Sequence, residues 1–288
     1  MGSPHHPIRG HAEKAQLAPL IPNASRGRPR AEDRRVVNGM VYKIRTGVSW
    51  RDLPERYGPW KSVYTRFRRY AIDGVFTRAL QQIQARADAA GDIDWLVQID
   101  STIVRAHQHA AATGRKGGST ADEPDDHALG RSRGGLTTKI HLACDGRGRP
   151  LAVLLTPGQR HDSICARPLL ERIRVPRTGL GRLRCRHGHV IADKAYSSRG
   201  FRACLRKRGI GHTIPEKSDQ KKHRRNRGRR GGRPTGFDRE TYRRRNTVER
   251  CFNRLKGFRG IATRYEKTAT SYEAAVTLAS LLLRARSI

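Results

Sequence analysis

The spacing of apolar positions divides the chain at about residue 92. Before that point the apolar residues recur at helical intervals. Val36, Val37, Met40, Val41 and Ile44 share one side of a segment from Asp33 to Arg45, and the Thr-Gly pair that follows is a stop signal. Ser49 is placed to cap a short helix through "WRDLP", which Pro54 ends. "GPWKSVYTRFRRYAIDG" predicts a compact helix closed by Gly74. Trp60, Val63, Tyr64, Phe67 and Tyr70 or Ala71 lie on its apolar side, and Lys61, Arg66, Arg68 and Arg69 on the other. A further helix is expected from about Phe76 to Ala90. Residues 1–25 show no clear period; a loose arm (1–16) and a short turn at "QLAPLIP" are expected there.

After "AAGDID" the pattern changes. "WLVQIDSTIV" (95–104) is a β-rich run, and "TTKIHLACDGRGRPLAVLLTPG" (137–158) predicts two strands around a "DGRGRP" hairpin turn. "SICARPLLERI" (163–173) predicts a helix. "GHVIADKAYSS" (188–198) opens with a short buried strand, "SSRGFRACLRKRG" continues as a helix stopped by Gly209, and "HTIPE" is a brief strand. The low-complexity cationic run "KSDQKKHRRNRGRRGGRP" (217–234) is expected to be a mobile basic loop, extending to about 238. A long helix begins at Arg239, and a last one spans about 271–286. The expectation is an all-α region over 1–92 followed by a mixed α/β domain over 93–288.

Charge sharpens this reading. Among 288 residues, Lys and Arg number 60 against 25 Asp and Glu, a formal charge of +35. Such an excess is relieved by a polyanion. Double-stranded DNA is the leading candidate, since each contacted phosphate releases counterions. No run reaches the ~20 apolar residues of a spanning helix, and no signal peptide is visible, so a cytoplasmic protein without a membrane partner is expected. Short helices joined by tight turns, the third of them basic, suit a helix-turn-helix DNA reader, with Lys61, Arg66, Arg68 and Arg69 as its candidate contacts. The five cysteines form no CxxC pair, which argues against a zinc ribbon or a disulfide framework. "CRHGH" (185–189) is read as a basic loop before a strand rather than a metal site.

The acidic residues are few and their positions are informative. Asp100 follows "LVQI" and Asp193 follows "VIA", so carboxylates on neighbouring strands could converge. Glu249 is the single acid among six Lys and Arg in "YRRRNTVERCFNRLK" (242–256). On a helical wheel started at Tyr242, Arg245, Glu249 and Lys256 fall within about 60° of arc, while Val248, Cys251, Leu255 and Phe258 form an apolar arc. Three carboxylates at one site need a cation; Mg2+ or Mn2+ is the natural one, and two such ions suit in-line phosphoryl transfer. The plainer readings are strand-end caps for each Asp and an i,i+4 Arg245–Glu249 pair, the latter leaving Tyr242 and Lys256 unexplained.

Tyr242, Arg245, Glu249 and Lys256 match Y-x2-R-x3-E-x6-K, and in this the chain resembles bacterial insertion-sequence transposases with a DDE triad. "IDSTIVRAHQHAA" resembles their first-Asp block, "GRSRGGLTTKIHLACDGRGRPLAVLLTPGQRHDS" the strands that follow, and "IADKAYSSRGFRACLRKRGI" the second-Asp block. "GRPR…RTGVSWRDLPERYGPW…RFRRY" is similar to the DNA-binding region of the insertion-sequence-five type. The likeness covers about residues 17–285; residues 1–16 depart from the usual start, with Lys14 and Ala15 near the place of a customary Trp.

The resemblance implies a ribonuclease-H-like fold in which the two Asp strands are adjacent and the Glu helix packs on their sheet. It implies Asp100, Asp193 and Glu249 as metal ligands, and Tyr242, Arg245 and Lys256 as contacts to the element's terminal DNA. The implied activity is cleavage at the element's ends and joining of the 3′-OH to target DNA by a homodimer or larger assembly. A nuclease of the same fold and a non-catalytic repressor are the alternatives. His107, His109 and His161 fall in matching blocks and are read as structural; Asp145 and Asp162 are read as turn-shaping. The cationic run is expected to add nonspecific phosphate contacts.

Overall fold

A computed structural model describes residues 32–111 and 123–285. The expected arm, the "QLAPLIP" turn and the atypical start lie outside the described residues. The first described helices are α1 (Asp33–Thr46), α2 (Trp60–Ile72) and α3 (Val75–Ala89), with two short 3-10 turns between α1 and α2. Ser49 caps the first turn by accepting from the Arg51 amide at 3.2 Å. All five apolar positions named for α1 are buried.

The sheet is built from β1 (Leu96–Ala106), β2 (Gly130–Ser132), β3 (Gly135–Cys144), β4 (Pro150–Pro157), β5 (His189–Ala192), β6 (Gly211–Thr213) and β7 (Thr263–Arg264). Its main path runs β4-β3-β1-β5-β6; β2 pairs with β3, and β7 with the end of β1. On that path β3 is antiparallel to both neighbours, while β5 and β6 continue parallel to β1. This order and sense make the sheet ribonuclease-H-like. β2 and β7 go beyond the expected strands; at three and two residues they are too short to carry a period of their own.

Helices α4 (Asp162–Glu171) and α5 (Arg199–Lys207) follow β4 and β5; α6 (Ser218–Asn226), α7 (Arg239–Arg243), α8 (Asn246–Lys256) and α9 (Ala269–Ala285) follow β6. Two cores lie on the two faces of the sheet. Val97, Ile99, Ala143, Val190 and Ala192 cluster with α4 and α5. Val104, Ile140, Leu142 and Cys144 cluster with α1, α2, α3, α8 and α9. The N-terminal helices therefore share a core with the sheet. α9 is buried along nearly its whole length, as a helix apolar on all sides must be. The contact between α1 and the turn Arg259–Ala262 is backbone-close: a Cβ on Gly260 would lie 3.0 Å from the Ile44 Cα. Beside it, Lys43 pairs with Glu266 at 3.4 Å, both buried.

Two expectations need correction. The cationic run is not a loop along its whole length: Ser218–Asn226 is helical. The helix expected to run unbroken from Arg239 is two helices, α7 and α8, joined at Arg244–Arg245. The junction is wound by i→i+3 bonds, Arg245 N to Tyr242 O at 3.0 Å and Val248 N to Arg245 O at 3.1 Å, a tightening typical of helix ends.

Candidate active site

Asp100 stands where β1 lacks a partner on one edge. β5 pairs with β1 up to Ile99↔Ala192, and β7 resumes only at Arg105↔Thr263. Asp193 is the residue directly after β5, so the register sets the two aspartates side by side, one step past the last pair. Strand alternation puts Asp100 on the same face as Gln98 and Val104, the face that α8 covers. Glu249 lies in the first turn of α8, whose Val248, Cys251, Phe252 and Leu255 are buried. That apolar stripe seats the helix and fixes which way Glu249 faces. Phe252 extends the stripe beyond the apolar arc of the wheel.

The three carboxylates are linked through one cation and its neighbour Tyr242. Arg245 donates to Asp100 Oδ2 at 2.7 Å and to Glu249 Oε1 at 2.9 Å. The i,i+4 pair is thus present, and it is half of a bridge. Tyr242 Oη donates to Asp193 Oδ1 at 3.5 Å. The Asp193 side chain also accepts from the Lys194 amide at 2.5 Å, and that of Asp100 from the Ser101 amide at 2.9 Å. Lys256 is half-buried, two turns beyond Glu249 on the same helix. Among the described residues no group of three His, Cys, Asp or Glu side chains stands close enough to hold a metal; the guanidinium occupies the space between Asp100 and Glu249.

Burial raises the pKa of Asp100 above the ordinary carboxylate value; Arg245 opposes this and the nearby Asp193 adds to it. Burial also works against the charge of Arg245, but Asp100, Tyr242, Asp193 and Glu249 outweigh it and raise the pKa overall. Burial likewise raises the pKa of Tyr242, against Arg245 and with Asp193. The site is negative, partly desolvated and already balanced by a positive group.

Two sets of residues escape a reading of the sequence alone. Gln98, fully buried, accepts from the Val248 amide at 3.2 Å and so ties the first turn of α8 to the Asp100 strand. Its signal is a polar residue inside "LVQID", two positions from Asp100. The second set lies behind Asp100. Asp162 begins α4 and accepts from Ser101 Oγ at 2.8 Å and Lys139 Nζ at 3.0 Å. It joins α4 to β1 and β3 rather than only shaping a turn. Asp145 does shape its turn, accepting from the amides of Arg147 and Arg149.

Lys61, Arg68 and Arg69 are exposed on α2, Arg69 standing 3.6 Å from Asp73. Arg66 is half-buried and holds Asp33 at 2.6 Å. His107 packs on Tyr265 and accepts from the His109 amide; His161 is exposed just before α4. In "CRHGH", His189 bonds Thr213 Oγ1 at 2.9 Å, and the buried His187 stacks on Trp95. A cleft of about 740 Å³ lined by Arg177, Arg182, Arg184, Arg186 and His187 opens before β5, at the end away from Asp193.

Comparison with known proteins bears on the family of the chain. Residues 93–284 match the family described as "Transposase DDE domain", and residues 12–80 match "Putative transposase of IS4/5 family". An uncharacterized protein, y4sN of Sinorhizobium fredii, is 42% identical over 102 residues, which is 34% of this chain and 78% of that protein. The "Putative transposase for insertion sequence element IS6501" of Brucella ovis is 34% identical over 148 residues, 51% of this chain and 98% of that protein. A chain of a pre-cleavage Mos1 transpososome aligns over 93% of this chain and 82% of its own length. Its TM-score is 0.23 and its identity 10%, a likeness on which nothing further rests.

Proposed function

The chain belongs to the DDE transposases of the IS4/5 family, and from that premise we propose that it binds the terminal inverted repeats of its insertion sequence, cleaves the DNA there and joins the 3′-OH to target DNA. The observation that supports this reading is that Arg245 bridges Asp100, at the end of the β1–β5 pairing, to Glu249 on the packed helix, while its neighbour Tyr242 reaches Asp193 on the adjoining strand end.

The chemistry of the donors, rather than their present spacing, suits a divalent metal. All three groups offer carboxylate oxygen, which suits Mg2+ or Mn2+, and the Arg245 bridge already accommodates positive charge between two of them. Asp100, Asp193 and Glu249 would hold the metal, two ions in the reading we favour. When bound, the metal supplies charge neutralisation at the scissile phosphate and activation of the attacking oxygen. The chain's own residues do the rest. β1 and β5 fix the spacing of the aspartates by their pairing register. Gln98 and the apolar face of α8 hold Glu249 opposite them. Tyr242, Arg245 and Lys256 would offer a hydroxyl and two cations to orient a phosphate backbone. Lys61, Arg68 and Arg69 supply an exposed cationic face on α2 for recognition of the ends, with Arg66 beside them, tied to Asp33. Two ends must be handled together, which calls for a homodimer or larger assembly on DNA.

The test is strand joining, with duplexes carrying the two ends of the DNA that encodes this chain, a supercoiled target plasmid and Mg2+. Integrants bearing both ends support the reading. Cut ends with free 3′-OH and no integrants would point to a nuclease instead, and retained full joining by Asp100→Ala would remove the triad assignment.

A further inference from the structure

The segment 217–233 carries nine Lys or Arg and a single acid, Asp219. Its helix α6 buries no residue. A nine-residue helix of that composition does not sustain itself in water, because nucleation is costly and like charges repel. Polar groups hold it. Gln220 Oε1 accepts from Ser197 Oγ at 2.7 Å and from the Lys217 amide at 3.2 Å, while Gln220 Nε2 donates to the Ser197 carbonyl at 2.8 Å. Ser197 is itself buried and is held by Arg202 at 2.9 Å. One turn along α6, Arg224 pairs with Glu216. The following turn folds back on the helix so closely that a Cβ on Gly231 would sit 2.1 Å from the Arg224 carbonyl oxygen.

Gln220 and Arg224 thus face the protein, and Lys221, Lys222, His223, Arg225 and Arg227 face solvent. Their mutual repulsion is uncompensated by any acid on that helix except Asp219. The anchor matters as much as the charge. Ser197 lies four residues after Asp193, with the 3-10 turn Lys194–Tyr196 between them.

We propose that α6 is a docking track for the phosphate backbone of double-stranded DNA, and that the Ser197–Gln220 clasp couples its occupancy to the Asp193 turn. Ser197 and Gln220 are then positioning residues: DNA on the outer face of α6 sets how firmly the segment carrying Asp193 is held. The proposal rests on the transposase reading for its choice of DNA as the polyanion.

The experiment has two readouts, both taken in EDTA so that no cleavage intervenes. The first is the salt dependence of binding to a random-sequence duplex. Lys221→Gln, Lys222→Gln and Arg225→Gln together should reduce the log–log slope by about 2.7, at ~0.9 for each phosphate no longer neutralised. The second is hydrogen exchange. Bound DNA should slow exchange in both 218–226 and 194–198 of the wild type, but only in 218–226 of Gln220→Ala. An unchanged slope overturns the track, and equal protection of 194–198 in Gln220→Ala overturns the coupling. Polyglutamate displacing the duplex at equal charge concentration would assign the surface to an acidic protein and overturn the choice of DNA. Loss of end-joining activity with both readouts intact would sink only the transposase reading; intact joining with both readouts absent would sink only this one.

Discussion

α6 and α8 are both cationic helices that follow β6, yet opposite forces hold them. α8 buries Val248, Cys251, Phe252 and Leu255 against the sheet; α6 buries nothing and hangs on hydrogen bonds from Gln220 and an ion pair from Arg224. A helix seated by apolar area is fixed in rotation and depth, as the role proposed for Glu249 requires. A helix held by a polar clasp can be stable when occupied and loosened when not, which suits a surface that grips and releases a polyanion. Charge alone therefore does not set how either segment is held; the presence or absence of an apolar stripe does.

The largest expected effect is on the seated helix. Leu255→Ala, at a site 1% exposed, should lower unfolding free energy by about 2–5 kcal/mol through reduced apolar burial and a cavity. Gln220→Ala should cost under about 1 kcal/mol, a partly exposed hydrogen-bonding group. Urea denaturation of both variants checks the contrast, and equal losses would break it.

Acid should next strike the sheet that seats α8 and the segment leading into β5. Burial lowers the pKa of His141 and of His187 to about 4, from the usual 6.5. The unfolded chain then binds protons that the folded chain refuses. Stability is therefore full above pH 6.5 and is lost as pH falls toward 4, by up to roughly 3 kcal/mol per residue. Denaturation midpoints measured across that window should fall, and His141→Gln or His187→Gln should flatten the profile. A smaller effect is expected at the polar tie that α8 does possess: Gln98→Leu should cost about 1 kcal/mol in stability. It should slow cleavage of end-bearing duplexes while leaving the salt slope of DNA binding unchanged. A changed slope would mean that Gln98 acts on the cationic surface rather than on the placement of Glu249.

The same contrast explains what the sequence could reveal. α1 to α3, the β3–β4 hairpin and α8 all carry an apolar period, and a period is readable without partners. Asp100 and Asp193 are visible because each ends an apolar run. α6 is not, because it has no apolar face and its anchor, Ser197, is 23 residues away. Nor is the Arg245 bridge to Asp100, which spans 145 residues, or the reach of Asp162 across to Ser101 and Lys139. The break between α7 and α8 also lies outside any local signal, since Arg244 and Arg245 are good helix formers.

Asp100, Asp193 and Glu249 are proposed to act as one unit on DNA. The decisive measurement is end cleavage with Mg2+ or Mn2+, comparing wild type with Asp100→Asn, Asp193→Asn and Glu249→Gln at matched DNA occupancy. Each variant alone should reduce cleavage by on the order of 10³-fold or more, with little further loss on combination. Any one of them cutting at the wild-type rate would rule out a shared role.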